Sequence, residues 1–261
     1  MLLAIDIGNT NIEFGVYEET GIRARFRLGT NREITSDEIG LFMMQFFSIN
    51  GIDKAQIEDI IITTVVPQVM YSLSNAMKKY IGLTPLVIGE NIRCEIENRY
   101  DNPKEVGADR LVNSLAAFER YGGPLIIVDF GTATTFDVVS KDGAYLGGSI
   151  YPGVKISVEA LFEKTAKLPR VELVKRESAI GKNTIGSVQS GVMFGYVGAV
   201  LHIVAQIERE LGEKARVIGT GGLANMIGEQ QPGIFYAIDR TLTLDGLKLI
   251  YDRYKKSCKG K

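Results

Sequence analysis

Two pentads have the residue types and order to handle a phosphate group, Asp6-Ile7-Gly8-Asn9-Thr10 and Asp129-Phe130-Gly131-Thr132-Ala133. Each directly follows an apolar run, Leu2-Leu3-Ala4-Ile5 in the first case and Leu125-Ile126-Ile127-Val128 in the second. A carboxylate at the end of a buried strand, followed by Gly and hydroxyl residues, can set backbone N–H groups and a Thr Oγ around a phosphate while the carboxylate faces the accompanying metal ion. A single copy would pass for an ordinary strand-to-turn junction, where Asp and Gly are common for local reasons. Two copies in matching context predict a nucleotide clamp closed from two sides. A third carboxylate, Asp109 in Gly107-Ala108-Asp109-Arg110, opens an amphipathic helix. There it could complement the helix N-terminus or accept a proton from a substrate hydroxyl.

The elements that must position these residues follow from periodicity. Strands are expected over 2–7, 11–17 and 23–27, with turns at Gly8-Asn9 and Thr20-Gly21, giving an antiparallel meander. Ser36-Asp37-Glu38 opens a helix over 36–49 without a capping box, and Gly51 stops it. A strand over 59–65, Pro67 at the first position of a helix that continues over 69–80, and a strand over 86–88 complete a βββαβαβ order. After a helix over 108–121 the order starts again. Strands are expected over 125–128, 134–139 and 144–150, helices over 154–162 and 187–211, a strand over 215–218 and a last helix over 242–254. Repetition of one wiring implies duplication of an α/β domain, over 1–118 and 119–261, with the helix near 109–121 joining the halves as a hinge. Strand-end carboxylates from both halves would then converge on an interdomain cleft.

Composition narrows the function classes. The chain has 261 residues, 45% of them hydrophobic, which excludes disorder and provides core for one large or two ordinary domains. With 30 Lys and Arg against 31 Asp and Glu, the net charge of −1 offers no global field for nucleic acid or an anionic membrane. The basic tail, Lys255-Lys256 and Lys259 to Lys261, reads as a solvated end. No charged leader precedes the first strand, and no apolar stretch approaches the ~20 residues of a bilayer span, so the cytoplasm is the expected compartment. Cys94 and Cys258 lie in unlike contexts and support neither a disulfide nor a cysteine metal site. His202 is the sole histidine and is expected in core or interface packing, which leaves a Ser-His-Asp triad without partners.

The ordered set of motifs resembles the type III pantothenate kinases. It comprises Asp6-Ile7-Gly8-Asn9-Thr10-Asn11, Gly107-Ala108-Asp109-Arg110, Asp129-Phe130-Gly131-Thr132-Ala133-Thr134-Thr135, Gly147-Gly148-Ser149-Ile150-Tyr151-Pro152-Gly153 and Gly219-Thr220-Gly221-Gly222. The resemblance runs nearly end to end. It implies two ribonuclease-H-like domains of the acetate and sugar kinase, Hsp70 and actin superfamily, and ATP-dependent phosphorylation of pantothenate, the first step to coenzyme A. It further implies ATP binding by Asp6, Ile7, Gly8, Asn9, Thr10, Asn11, Ile12, Glu13 and Thr132, with Mg²⁺ beside Asp6. A monovalent cation, K⁺ or NH₄⁺, would lie on Asp129. Asp109 would be the proton acceptor, with Tyr100, Gly107, Ala108, Arg110 and Thr184 around pantothenate, and the Gly219 motif on the adenosine side.

From the residues alone, Tyr100 could equally be a loop aromatic covering the core, Thr184 a cap for the long helix that follows, and Arg110 a surface ion-pair partner. Gly147-Gly148 and Pro152-Gly153 are expected to shape a close backbone approach at a strand end. The helix over 187–211 is more apolar than one exposed helix needs, and the resemblance implies a homodimer. Two other readings stay open at this point: another actin-like kinase acting on acetate or a sugar, and a non-catalytic ATP-binding regulator. No DNA-binding element supports the latter.

Overall fold

The structure is a computed structural model that describes residues 1–259. In chain order the elements are β1 (Leu2–Ile7), β2 (Asn11–Glu18), β3 (Gly21–Gly29), α1 (Ser36–Ile49), β4 (Asp59–Thr64), α2 (Pro67–Ala76), β5 (Leu86–Val87), α3 (Ala108–Tyr121), β6 (Leu125–Phe130), β7 (Ala133–Val139), β8 (Tyr145–Pro152), α4 (Val154–Lys164), α5 (Thr184–Leu211), β9 (Arg216–Gly221), α6 (Ala224–Gln230), β10 (Ala237–Ile238) and α7 (Leu242–Lys259). They form two five-stranded sheets, ordered β3-β2-β1-β4-β5 and β10-β9-β6-β7-β8. In each sheet the first strand in sequence lies at the centre, antiparallel to the next strand and parallel to the one that returns after a helix. One wiring is thus used twice, as the repeated motif order implies.

The chain packs as two compact units. One contains Met1–Glu95, Lys104–Ala116 and α7, and the other contains Ile96–Pro103 and Ala117–Thr241. The chain passes from the first unit to the second at Ala116/Ala117, and the final helix belongs to the first unit, where it packs on β1 and β4.

In the first unit β1 is apolar on both faces because both are covered, the usual condition of a central strand with a parallel neighbour. Leu3, Ile5 and Ile7 join a core with Ile39, Met43 and Phe47 of α1 and Val69 and Leu73 of α2. The period of two turns Leu2, Ala4 and Asp6 to the opposite face. α7 covers that face: Leu244 approaches Gly15, the partner of Ala4, and the Tyr17 hydroxyl, opposite Leu2, donates to Asp245 at 2.6 Å. Asp6 therefore stands on the α7 side, away from the large apolar core.

The start of α1 corrects one expectation. The N-cap is Thr35, not Ser36. Its Oγ1 accepts from the Glu38 N–H at 3.2 Å and the Glu38 carboxylate accepts from the Thr35 N–H at 2.8 Å, so a capping box is present one residue earlier than the position read for it. Pro67 occupies the first turn of α2 as expected, but that helix ends at Ala76 and continues as a π-turn over Met77–Ile81. Nor is the basic end simply solvated. Lys255 pairs with Asp59 at 2.7 Å, and Tyr251 donates to the same carboxylate at 2.5 Å. The Lys259 side chain, Gly260 and Lys261 lie outside the described residues.

In the second unit Ile126, Val128 and Phe130 pack against Val192, Met193, Tyr196 and Val197 of α5 and Ile227 of α6. Alternation sends Leu125, Ile127 and Asp129 to the other face, so Asp129 repeats the placement of Asp6. α5 has 28 residues and is long and apolar enough, by length and composition, to cross a bilayer, contrary to the expectation of no such stretch. The apolar surplus serves the sheet on one side of the helix, and away from it leaves Phe194 and Leu201 exposed.

Candidate functional site

β1 delivers Asp6, half-buried, to the carboxyl end of the central strand, between Glu13 on β2 and Thr63 on β4. The turn after it is closed by three hydrogen bonds. The Gly8 N–H donates to the Asn11 carbonyl at 2.9 Å, the Thr30 N–H to the Thr10 carbonyl at 2.9 Å, and the Thr30 hydroxyl to the Gly8 carbonyl at 2.7 Å. Asn9, Thr10 and Asn11 are exposed, whereas Ile7 and Ile12 are fully buried in the core and can offer a ligand only backbone groups. Glu13 pairs with Arg27 at 3.1 Å.

Asp109 lies in the same unit at the first turn of α3. The chain between these two motifs is linked through β4: the Val65 N–H donates to the Ile7 carbonyl at 3.1 Å, and a methyl group placed on Gly107 would lie 3.5 Å from Val65 Cγ1. Gly107-Ala108-Asp109-Arg110 thus adjoins the strand ends that carry Asp6. The same imagined methyl would lie 2.5 Å from Asp109 Oδ1, so the carboxylate folds back over Gly107 and fills the space that a side chain there would take. Asp109 Oδ1 accepts from the Arg110 N–H at 2.9 Å.

Electrostatics separates the two readings of this carboxylate. An exposed acid at a helix N-terminus is favoured in its charged form, which lowers its pKa. Burial pushes the Asp109 carboxyl above the usual carboxylate range, and the opposing pull of the Arg110 N–H and guanidinium does not cancel it. A desolvated carboxylate of raised basicity has the property a general base needs.

In the second unit Asp129 ends its strand in register with Thr135 on β7 and Thr220 on β9. Gly221 has φ +83°, and a methyl on it would stand 2.4 Å from Asp129 Oδ1 and 2.8 Å from the Phe130 N. The glycine expected on the adenosine side is therefore also what leaves room for the Asp129 carboxylate. Thr132 is exposed in the following turn. Gly153 comes so close that its methyl would lie 1.9 Å from the Thr132 carbonyl, the backbone approach expected of the Pro152-Gly153 pair. The register also brings in residues to which the sequence analysis gave no role. Thr135 and Asp137 share the face of Asp129, and the fully buried Asp137 accepts from the Thr135 hydroxyl at 3.1 Å and the Tyr145 hydroxyl at 3.0 Å. Alternation from Asp129 across the hairpin was the available signal.

Tyr100 and Thr184, also in this unit, have different neighbours. Tyr100 is half-buried, 6.3 Å from the Tyr145 ring, and lies over Gly147, so it covers the start of β8. Thr184 is exposed at the first turn of α5 and does not cap it: the cap is Asn183, whose side chain accepts from the Gly186 N–H at 2.7 Å. Beside Thr184 is a cavity of about 600 Å³ lined by Lys167, Arg176, Asn183 and Gln189.

Two further groups are placed outside this chemistry. His202, expected in core or interface packing, is exposed on α5, 3.5 Å from Gln206 one turn on. Burial raises the Cys94 thiol to about 12, which removes it as a nucleophile. Among the described residues no group of three or more His, Cys, Asp and Glu could hold a metal ion. A magnesium ion carried by a nucleotide makes no such demand, since one or two carboxylates and the phosphates suffice, and the carboxylate of Asp6 fits that pattern.

Two sheets of one wiring, each with an Asp next to the last residue of its central strand, define an α/β protein of the actin-like ATPase architecture with two ribonuclease-H-like sheets. Residues 2–206 match the type III pantothenate kinases, and the chain belongs to that family. Solved structures share the fold at low identity. A Sinorhizobium meliloti protein assigned as a 2-dehydro-3-deoxygalactonokinase has 12% identity and a TM-score of 0.60, covering 96% of each chain. Component A of the (R)-2-hydroxyglutaryl-CoA dehydratase of Acidaminococcus fermentans has 12% identity and a TM-score of 0.53, covering 94% of each. The ROK hexokinase of Thermus thermophilus has 11% identity and a TM-score of 0.50, covering 98% of this chain and 99% of that one.

Proposed function

We propose that this kinase transfers the γ-phosphoryl group of ATP to the primary hydroxyl of pantothenate. The observation that carries the reading is Asp109, folded over Gly107 beside the strand ends that bear Asp6, with its carboxyl raised by burial. In this reading the Asp109 carboxylate accepts the hydroxyl proton as the new P–O bond forms and the bond to the ADP oxygen breaks. Gly8 to Thr10 turn their backbone groups to the phosphates, Thr132 and the backbone at Ile7 and Asn11 to Glu13 complete the ATP segment, and Asp6 holds Mg²⁺ directly or through water. Bound there, Mg²⁺ would neutralise phosphate charge. Tyr100, Gly107, Ala108, Arg110 and Thr184 are assigned to pantothenate, with the Arg110 fork suited to its carboxylate. An ADP-release assay with pantothenate, acetate and glucose in parallel tests the acceptor. Pantothenate alone should support turnover, and comparable turnover with either of the others would replace it by another small-molecule kinase activity.

We assign Asp129 to a monovalent cation, K⁺ or NH₄⁺, the role that the family resemblance implies for it, and Gly221 leaves the space that its carboxylate occupies. Replacing K⁺ and NH₄⁺ by Na⁺ or Li⁺ is expected to abolish most turnover. Full activity in Na⁺ alone would remove the assignment.

We further propose that the chain acts in the cytoplasm as a homodimer with neither nucleic-acid nor membrane partners. Phe194 and Leu201, seven residues apart on one face of α5 and 36% and 46% exposed, support the dimer. Leu201→Arg is expected to halve the particle mass measured by light scattering, and an unchanged dimer would move the interface elsewhere.

A further inference from the structure

We propose that Thr30 is a positioning residue for the nucleotide turn, acting through the Gly8 carbonyl without touching the ligand. The inference rests on the reading of Gly8 to Thr10 as the phosphate turn. Thr30 follows the last residue of β3, one step past the Asn11 and Gly29 pair that ends the β2–β3 ladder. Its backbone N–H extends that ladder by donating to the Thr10 carbonyl at 2.9 Å, while its hydroxyl reaches the Gly8 carbonyl at 2.7 Å. One residue therefore holds two carbonyls of a four-residue turn, and the third bond, from the Gly8 N–H to the Asn11 carbonyl, closes the turn on itself.

The consequence follows from peptide geometry. In a trans peptide the carbonyl and the next N–H point in opposite directions. With the Gly8 carbonyl drawn onto Thr30 Oγ1, the Asn9 N–H is turned to the opposite side. Asn9 and Thr10 are exposed, so this donor stands in the part of the turn open to a ligand. A glycine peptide flips at little steric cost, so Gly8 needs an outside restraint to keep one orientation, and the Thr30 hydroxyl provides it. Preorganised donors are worth more than donors that must reorient on binding.

Thr30→Val keeps the shape, the branched Cβ and the backbone N–H and removes only the hydroxyl, whereas Thr30→Ser keeps the hydroxyl. The valine variant is expected to bind a fluorescent ADP analogue about 3- to 10-fold more weakly, the range a single lost hydrogen bond allows, with a matching rise in KM for ATP. Its KM for pantothenate should stay unchanged, and the serine variant should regain wild-type nucleotide binding. A merely structural Thr30 would lower Tm and affect both substrates alike. Wild-type nucleotide binding in Thr30→Val, or equal weakening in both variants, would overturn the inference while leaving the ATP reading in place. Absence of nucleotide binding by the wild-type chain would overturn that reading and this inference with it.

Discussion

Asp109→Asn should fold, bind ATP and lose turnover by something on the order of 10²- to 10⁴-fold, the usual cost of removing a general base. The amide keeps the size of the side chain and can still accept from the Arg110 N–H, so the first turn of α3 survives. The stability response distinguishes this role from that of a helix-end acid. A carboxyl whose folded pKa is raised holds its proton more tightly in the native state, so its contribution to stability is present at low pH and is lost as pH rises through the folded pKa. At neutral pH the native state then carries a desolvated charge. Asp109→Asn relieves it, so its Tm should equal or exceed that of the wild type at neutral pH, with the advantage vanishing in acid. A helix-end acid predicts the reverse, a loss of about 0.3–1 kcal/mol at neutral pH with turnover nearly intact. In the wild type the acid limb of the pH–rate profile should lie above the range of an ordinary aspartate, for the same reason.

The second large effect is expected at Gly221. Alanine there would put its methyl 2.4 Å from Asp129 Oδ1 and 2.8 Å from the Phe130 backbone, in a conformation with φ +83° that suits glycine. The backbone strain alone costs on the order of 1–3 kcal/mol. Relief of the contact requires the carboxylate to move by about 1 Å, a misplacement that can cost about 10²-fold in rate. Gly221→Ala should therefore combine a lowered Tm with turnover down about 100-fold and insensitive to K⁺. Gly222→Ala is the matched control, because a methyl on Gly222 meets nothing within 4 Å. Equal behaviour of the two variants would show that the Asp129 carboxylate does not depend on the space at Gly221.

The parts of the fold that were legible in the sequence are those stated by local pattern. β1 and β6 are continuous apolar runs because a central strand is buried on both faces, and Asp-x-Gly stands out where each run stops. α6 and β10 left no comparable trace. The helix has 7 residues and no side-chain cap, and the strand has 2, so neither completes a period that pattern reading can detect. The cap of α1 was misread by one residue because Thr35 and Ser36 are adjacent and both suit the position. Nothing in the amphipathic pattern of α7 says on which sheet it lies. The candidate site divides in the same way. Asp6, Asp109 and Asp129 are named by motif, but their environments come from contacts distant in sequence. Thr30 reaches Gly8 across the β2–β3 hairpin, and Gly221 meets Asp129 only because β9 pairs with β6. Side-chain burial likewise separates Ile7 and Ile12, buried in the core, from the exposed Asn9 to Asn11 within one motif.

The central claim is most directly tested by the identity of the phosphorylated product. The purified chain, incubated with ATP, Mg²⁺, K⁺ and pantothenate, can be followed by ³¹P NMR. The account predicts a new phosphomonoester resonance that grows in step with ADP, requires pantothenate and disappears in Asp109→Asn. ADP accompanied only by inorganic phosphate, or a phosphomonoester that forms from glucose but not from pantothenate, would contradict it.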